Sequence, residues 1–349
     1  MNRRNFLASA ATIAGATAAR ASPLADKDVA PAPIDTPAGS GAVDSLNPSG
    51  IRTAGIRMIP VAGGKYKVWT KRFGPSSGNA SVNVLLLHGG PGFSHEYLEA
   101  FESFLPQAGI EMYYYDQLGC NNSDQPSDPD ATALWTVARY TEEVEEVRRS
   151  LGLDHFVLLG HSWGGILALE YALNYQQHLR GLVISNMTAG TQSYLKRTAA
   201  LKQLLTSDSL AKLTALEAKE DYDNPEYERL MMEELYPKMI CRIKPWPEPV
   251  DRAFRHANQK IYVQMQGKSE FLVTGNLKNW ERWDRLHEIK VKALTIGAEH
   301  DEMDPADMKK MASLMQNATN AFCPNGSHLC MWDDQAIYFQ NLLKFLHSV

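Results

Sequence analysis

Cysteine is scarce in this chain: Cys120, Cys241, Cys323 and Cys330 are the four in 349 residues, and none forms the C-x-x-C pair of a zinc or redox site. Only Cys323 and Cys330 lie near each other in sequence; an oxidising compartment would permit a disulfide there, and their state stays open at this level. Positive charge is not in excess. A formal net charge of -5 argues against a polyanion-binding surface, so no nucleic acid is expected as a partner. No internal repeat is evident, and no apolar run approaches the ~20 residues that cross a bilayer, so stable membrane insertion is not expected once any export signal is removed. What remains, 44% hydrophobic and 21% charged residues, is the balance of an ordinary soluble protein. The length suffices for one large domain with an insertion, and nothing in it reports oligomeric state.

The first residues, MNRRNFLASAATIAGATAARAS, have a basic start, a weakly apolar Ala-rich stretch and a small-x-small site at Ala19, Arg20 and Ala21. Residues 1–21 are therefore predicted to be an export signal. Arg3 and Arg4, followed by Asn5, Phe6 and Leu7, resemble the twin-arginine pattern, which predicts a periplasmic or secreted mature protein. Residues 22–50, rich in Ala, Pro, Ser, Asp and Gly without hydrophobic period, read as a flexible leader.

From residue 51 onward, short β-branched and aromatic runs alternate with helical patterns, the sign of a mostly parallel sheet flanked by helices, an α/β class fold. VNVLLLHG (82–89), EMYYYDQLG (111–119), HFVLLGHS (155–162), RGLVISN (180–186) and VKALTIGA (291–298) are near-continuous apolar runs of the buried-strand type. YTEEVEEVRRSLG (140–152) carries apolar residues at helical spacing, and WGGILALEYALNYQ (163–176) reads as a sandwiched helix. Across 187–288 the strand signal gives way to Lys- and Glu-rich helical segments. A stretch that long is not a structureless loop in a compact domain, so it is expected to be a helical cap inserted into the sheet. The core would comprise 51–186 and 289–349, closing on the helix at 333–348.

Gly160-His161-Ser162-Trp163-Gly164 matches G-x-S-x-G, and it lies between a strand and a helix, where this motif presents a nucleophilic serine on a sharp turn. Larger residues at Gly160 or Gly164 would collide with neighbouring elements. A serine hydroxyl needs a base, and the base needs an orienting acid; in this fold the order along the chain is Ser, Asp or Glu, His. GAEHDEMDP (297–305) follows a strand and supplies Asp301, with Glu299, Glu302 and Asp304 as competitors; Asp304, just before Pro305, is better suited to capping the next helix. The base candidate is His328, in the loop before the last helix. His88-Gly89-Gly90-Pro91-Gly92 follows a strand, and a Gly-rich loop there can aim N–H groups at an oxyanion, so the hole is assigned to Gly90 and Trp163. Glycines such as Gly89 also let substrate approach the backbone. No metal or organic cofactor is required by this chemistry.

Together, HGGPG (88–92), DQLGC (116–120), GHSWGG (160–165), PWPEP (245–249) and GSHLCMWDD (326–334) resemble the proline iminopeptidase family of α/β-hydrolase-fold serine peptidases, from about residue 55 to the end. The resemblance implies an α/β-hydrolase core with a cap, and release of an N-terminal residue, often proline, from short peptides or amides. Such an enzyme must bind a free amine, and cap carboxylates would do so. Glu270 lies where the family has an Asn-Glu-Phe motif, although Lys268 and Ser269 replace the residues usual before it. Glu234 resembles a second such position, with Glu233 and Glu226 near enough to compete. Trp163, Trp246 and Phe271 are candidates for the wall around a prolyl ring. An amino-acid amidase or esterase on the same scaffold is the alternative reading.

Overall fold

The apolar runs form the centre of one eight-stranded sheet in a computed structural model that describes residues 53–75, 80–127 and 129–349. The expected export signal (1–21) and the leader (22–50), with residues 51–52, lie outside the described residues. The strands are β1 (Ile56–Val61), β2 (Tyr66–Phe73), β3 (Val82–Leu87), β4 (Ile110–Tyr115), β5 (Phe156–His161), β6 (Leu179–Ser185), β7 (Ala293–Ala298) and β8 (Ala318–Cys323), in the spatial order β1-β2-β4-β3-β5-β6-β7-β8. From β4 to β8 every pairing is parallel; β1 and β2 add an antiparallel edge. β4, β5 and β7 are buried along their whole length, which is why their sequences lack the alternation of half-exposed strands.

Helices α1 (Val137–Leu151) and α2 (Trp163–Tyr175) follow β4 and β5. Thr136 caps α1 through Arg139 N, and Gly152 ends it in the left-handed region at φ 67°. Between β6 and β7 the chain forms no strand beyond two isolated bridges, and its helices are α3 (Thr191–Leu201), α4 (Ser207–Ala218), α5 (Pro225–Arg229), α6 (Tyr236–Met239), α7 (Glu248–Arg255) and α8 (Gln259–Met265), joined by turns. A π-helical turn at Leu230–Leu235 joins α5 to α6. After β7 come α9 (Pro305–Leu314), then α10 (Cys330–Asp333) and α11 (Gln335–Leu346). No helix of the described residues is long and apolar enough to cross a membrane.

The 187–288 segment is tied to the core at two places that bear on the site. His328 N donates to Met239 O (2.8 Å) and Leu329 N to Ile240 O (2.9 Å), fastening the loop before α10 to the end of α6. On the other side, Glu96 in the turn after HGGPG pairs with Arg252 (3.0 Å) and His256 (2.8 Å) around α7.

Candidate active site

Ser162 sits between β5 and α2 at φ 56°, ψ -128°, a conformation that costs an L-residue free energy and persists only where its surroundings enforce it. The enforcement is close packing. A Cβ on Gly160 would fall 2.0 Å from Gly164 O, and one on Gly164 2.1 Å from Leu87 O, so both glycines are required by backbone contact. Ser162 N donates to Ser185 O (3.0 Å) on β6.

His328 Nδ1 donates to Asp301 Oδ1 at 2.8 Å, with Asp301 fully buried and His328 nearly so. Because Nδ1 carries the proton in that bond, Nε2 is the basic nitrogen, and His328 lines the same cavity as Ser162. The other Asp301 oxygen accepts from Asn186 Nδ2 (2.7 Å), and Oδ1 also accepts from Met303 N (3.0 Å). Asp304 caps α9 through Ala306 N (2.9 Å), while Glu299 is exposed.

The Gly-rich loop is braced from three directions. Gln117 N donates to His88 Nε2 (3.0 Å), and Gln117 Nε2 donates to His88 O (3.0 Å). Gln117 Oε1 accepts from Trp163 Nε1 (2.8 Å), so one side chain links the loop after β3 to the residue after Ser162. Burial pushes the His88 imidazole down to about 4, which keeps it neutral and able to accept. Tyr97 Oη accepts from Gly89 N and donates to His161 Nδ1 (3.0 Å), whose Nε2 donates to His328 O (2.8 Å). Gly89 N is occupied by Tyr97, whereas among the described residues neither Gly90 N nor Trp163 N has an acceptor. Gly89 lines the cavity, and a Cβ there would lie 2.8 Å from Ser162 Cβ.

Of the carboxylates singled out in the sequence, Glu270 reaches the site and Glu234 does not. Glu270 Oε1 accepts from Tyr194 Oη (2.7 Å) and Oε2 from Tyr262 Oη, which aims the carboxylate into the cavity. Glu234 instead accepts from Ser209 Oγ (3.2 Å) and Arg229 Nη1 (3.1 Å); its π-helical turn lays it along the outer helices. Glu226 and Glu233 join the same arginine at 2.9 and 3.6 Å. The second carboxylate in the cavity is Glu302, at 2% exposure, with Oε1 3.5 Å from His328 Nε2 and Oε2 buried without a hydrogen-bond partner among the described residues. Burial and neighbouring Glu270 push the Glu302 carboxyl well above its usual range. Burial alone would lower His328; Glu302 and Asp301 outweigh it and raise the imidazole to about 9.

Two adjoining chambers, one larger than the other, meet at Gly90, Ser162 and Glu270. The larger holds His328 and Glu302 and is walled by Phe93, Tyr236, Ile240, Phe254 and Leu329. The smaller is walled by Trp163, Ile166, Met187, Val273, Leu277 and Met303. Trp163 therefore lines the cavity as expected for an apolar wall, whereas Trp246 packs behind Phe254 and Phe271 is buried beneath Lys202. All four cysteines are free and buried; Cys330 Sγ lies 3.3 Å from Asn186 Oδ1.

Sequence reasoning missed Asn186, Tyr97 and the cavity-lining position of Glu302. Glu302 had a signal: it follows Asp301 directly at the carboxyl end of β7. Asn186 ends β6 at φ 53°, and Tyr97 lies in a 3-10 turn, so neither stands out in a linear pattern.

Residues 82–335 match the family model described as the alpha/beta hydrolase fold. The chain is 46% identical over 298 residues to a proline iminopeptidase of Elizabethkingia meningoseptica, covering 84% of this chain and 98% of that protein. It superimposes on the crystal structure of VinJ with a TM-score of 0.78 at 32% identity, covering 84% of this chain and 98% of that one. It also superimposes on a proline iminopeptidase of Mycobacterium smegmatis with a TM-score of 0.76 at 28% identity, with the same coverage.

Proposed function

The chain belongs to the proline iminopeptidase family of α/β hydrolases, and we propose that it is a serine aminopeptidase releasing an N-terminal proline, or another small residue, from short peptides. Ser162 attacks the first carbonyl while His328 Nε2 takes its proton, and Asp301 holds the imidazole in the required tautomer. Charge developing on the carbonyl oxygen is met by the N–H groups of Gly90 and Trp163, the latter at the positive end of α2. His328 then protonates the departing amine, and water releases the acyl group from Ser162.

The observation that carries this reading is the pair Glu270 and Glu302 in the cavity that Ser162 lines, with no lysine or arginine lining it among the described residues. A charged α-amine, with a pKa of about 7.7 to 8.0, supplies the missing cation, and a blocked peptide would bury two carboxylates without one. Because the leaving nitrogen must face His328, the carbon side of the first residue's ring enters the smaller chamber, with its nitrogen at Glu270, where the two chambers meet. The test is the hydrolysis rate of a prolyl arylamide against its N-acetylated form and against alanyl and leucyl arylamides. Fast prolyl release abolished by acetylation supports the reading; turnover of an activated ester alone replaces it with an esterase or amidase. Ser162→Ala is expected to abolish turnover in a folded protein, and Glu270→Gln to weaken free-amine substrates far more than a simple phenyl ester.

Export to the periplasm, or beyond the cell, is proposed on the twin-arginine pattern at Arg3 and Arg4. Replacing both by lysine should leave the uncleaved protein in the cytoplasm; unchanged export would remove the proposal.

A further inference from the structure

We propose that the larger chamber is a binding subsite for the second residue of the peptide, the one that departs, and that it selects an apolar, preferably aromatic, side chain. This rests on the aminopeptidase reading and extends it to a residue that reading does not specify.

Three observations converge. First, His328 belongs to the larger chamber and not to the smaller, although both share Ser162, Gly90 and Glu270. The base that protonates the leaving nitrogen must face it, so the departing residue enters on this side. Second, the walls are built for a ring. Phe93 and Phe254 meet edge to face with centroids 4.9 Å apart, and Trp246 backs Phe254 at 5.0 Å, so the aromatic surface is supported from behind. Third, the charges exclude acids. Glu270 stands at the junction with Ser162 and Glu302 inside the larger chamber, and among the described residues no lysine or arginine lines it, so an acidic second residue would meet two carboxyl groups and no cation besides His328, which already faces Asp301 and Glu302. The free carboxylate of a dipeptide would be disfavoured on the same ground, which points to longer peptides or amides.

The chamber wall is also coupled to the base. Ile240 O accepts from Leu329 N (2.9 Å) and Ser327 Oγ (2.9 Å), and Met239 O accepts from His328 N (2.8 Å). A side chain packed on Ile240 and Leu329 therefore presses on the segment that carries the histidine.

The test is kcat/KM for three peptide amides, prolyl-phenylalaninamide, prolyl-glycinamide and prolyl-aspartamide, on the full mature enzyme and on Phe254→Ala and Ile240→Ala. The phenylalanine substrate should exceed the glycine one by about tenfold or more, from ring burial, with the aspartate substrate slowest. Either variant should shrink the phenylalanine-to-glycine ratio severalfold. That ratio is taken within one preparation, so partial misfolding of a variant does not alter it. Equal rates in the wild type, or a ratio that neither variant changes, would overturn the subsite while leaving the aminopeptidase intact. A variant that alters prolyl-over-alanyl preference instead would show that the chambers are assigned the wrong way round. No turnover of any prolyl amide would overturn the aminopeptidase reading and the subsite with it.

Discussion

Oε1 of Glu302 stands 3.5 Å from Nε2 of His328, with both side chains buried. The arrangement surrounds one imidazole with three carboxyl groups, since Asp301 holds Nδ1 and Glu270 faces the same cavity. Burial and Glu270 raise the Glu302 carboxyl while His328 draws it down, and Glu302 with Asp301 raises His328 against its burial. An arriving ammonium supplies positive charge there, favouring the ionised carboxylate and the neutral imidazole. Substrate binding thereby prepares the base.

The pH dependence follows with a definite sign. His328 acts when neutral and is raised to about 9 in the free enzyme, while the substrate amine loses its charge above about 7.7 to 8.0, so kcat/KM should rise with pH, peak between about 8 and 9 and then fall, and the acid limb of kcat, read in the complex, should lie lower. Glu302→Gln removes a carboxylate that raises the imidazole, so its acid limb in kcat/KM should move down by about one unit, while KM for free-amine substrates rises. An unmoved limb would mean that Glu302 does not influence the histidine.

Tyr97→Phe should lower kcat by roughly ten- to a hundredfold with a smaller change in KM. The hydroxyl joins Gly89 N to His161 and, through that ring, to His328 O, so it holds the oxyanion loop in register with the base. Steady-state kinetics on a prolyl arylamide, beside a thermal melt, separates the cases: a lower melting temperature with intact kcat assigns the tyrosine to stability alone.

Gly164→Ala should be among the most damaging substitutions in the chain, because its Cβ would meet a backbone oxygen, Leu87 O, at 2.1 Å. Displacing β3 or α2 moves the oxyanion loop or Ser162 itself. Soluble yield and labelling by a fluorophosphonate should both fall sharply; near-normal labelling would contradict the packing described above.

Glu143 is fully buried on α1, where burial raises its carboxyl to about 8, although Oε1 accepts from Leu118 N at 3.0 Å. Its other oxygen has no hydrogen-bond partner among the described residues. A raised folded-state pKa means the fold holds a proton that the unfolded chain releases, so stability drops as pH rises from above 4.5 to about 8. Melting temperatures of Glu143→Gln and wild type should agree near pH 4 and diverge in the variant's favour by pH 8. Parallel curves would show that Glu143 does not titrate in this range.

The central strands, α2 and the turn at Ser162 were legible in the sequence because burial on both faces leaves unbroken apolar runs, and a sharp strand-to-helix turn leaves glycines at set positions. Asp301 and His328 were legible by their order after β7 and β8, a consequence of parallel strands ending at the same side of the sheet. The choice of carboxylates was not. Glu234 and Glu302 are both glutamates in polar surroundings of the sequence, and only the path of the chain, a π-helical turn in one case and the end of β7 in the other, sends one to Arg229 and the other to the cavity. The bridge from Gly89 through Tyr97 and His161 to His328 spans residues far apart along the chain. Sequence determines which residues must be buried and where turns must fall; which polar groups then meet is decided by packing, because a hydrogen bond depends on distance in space.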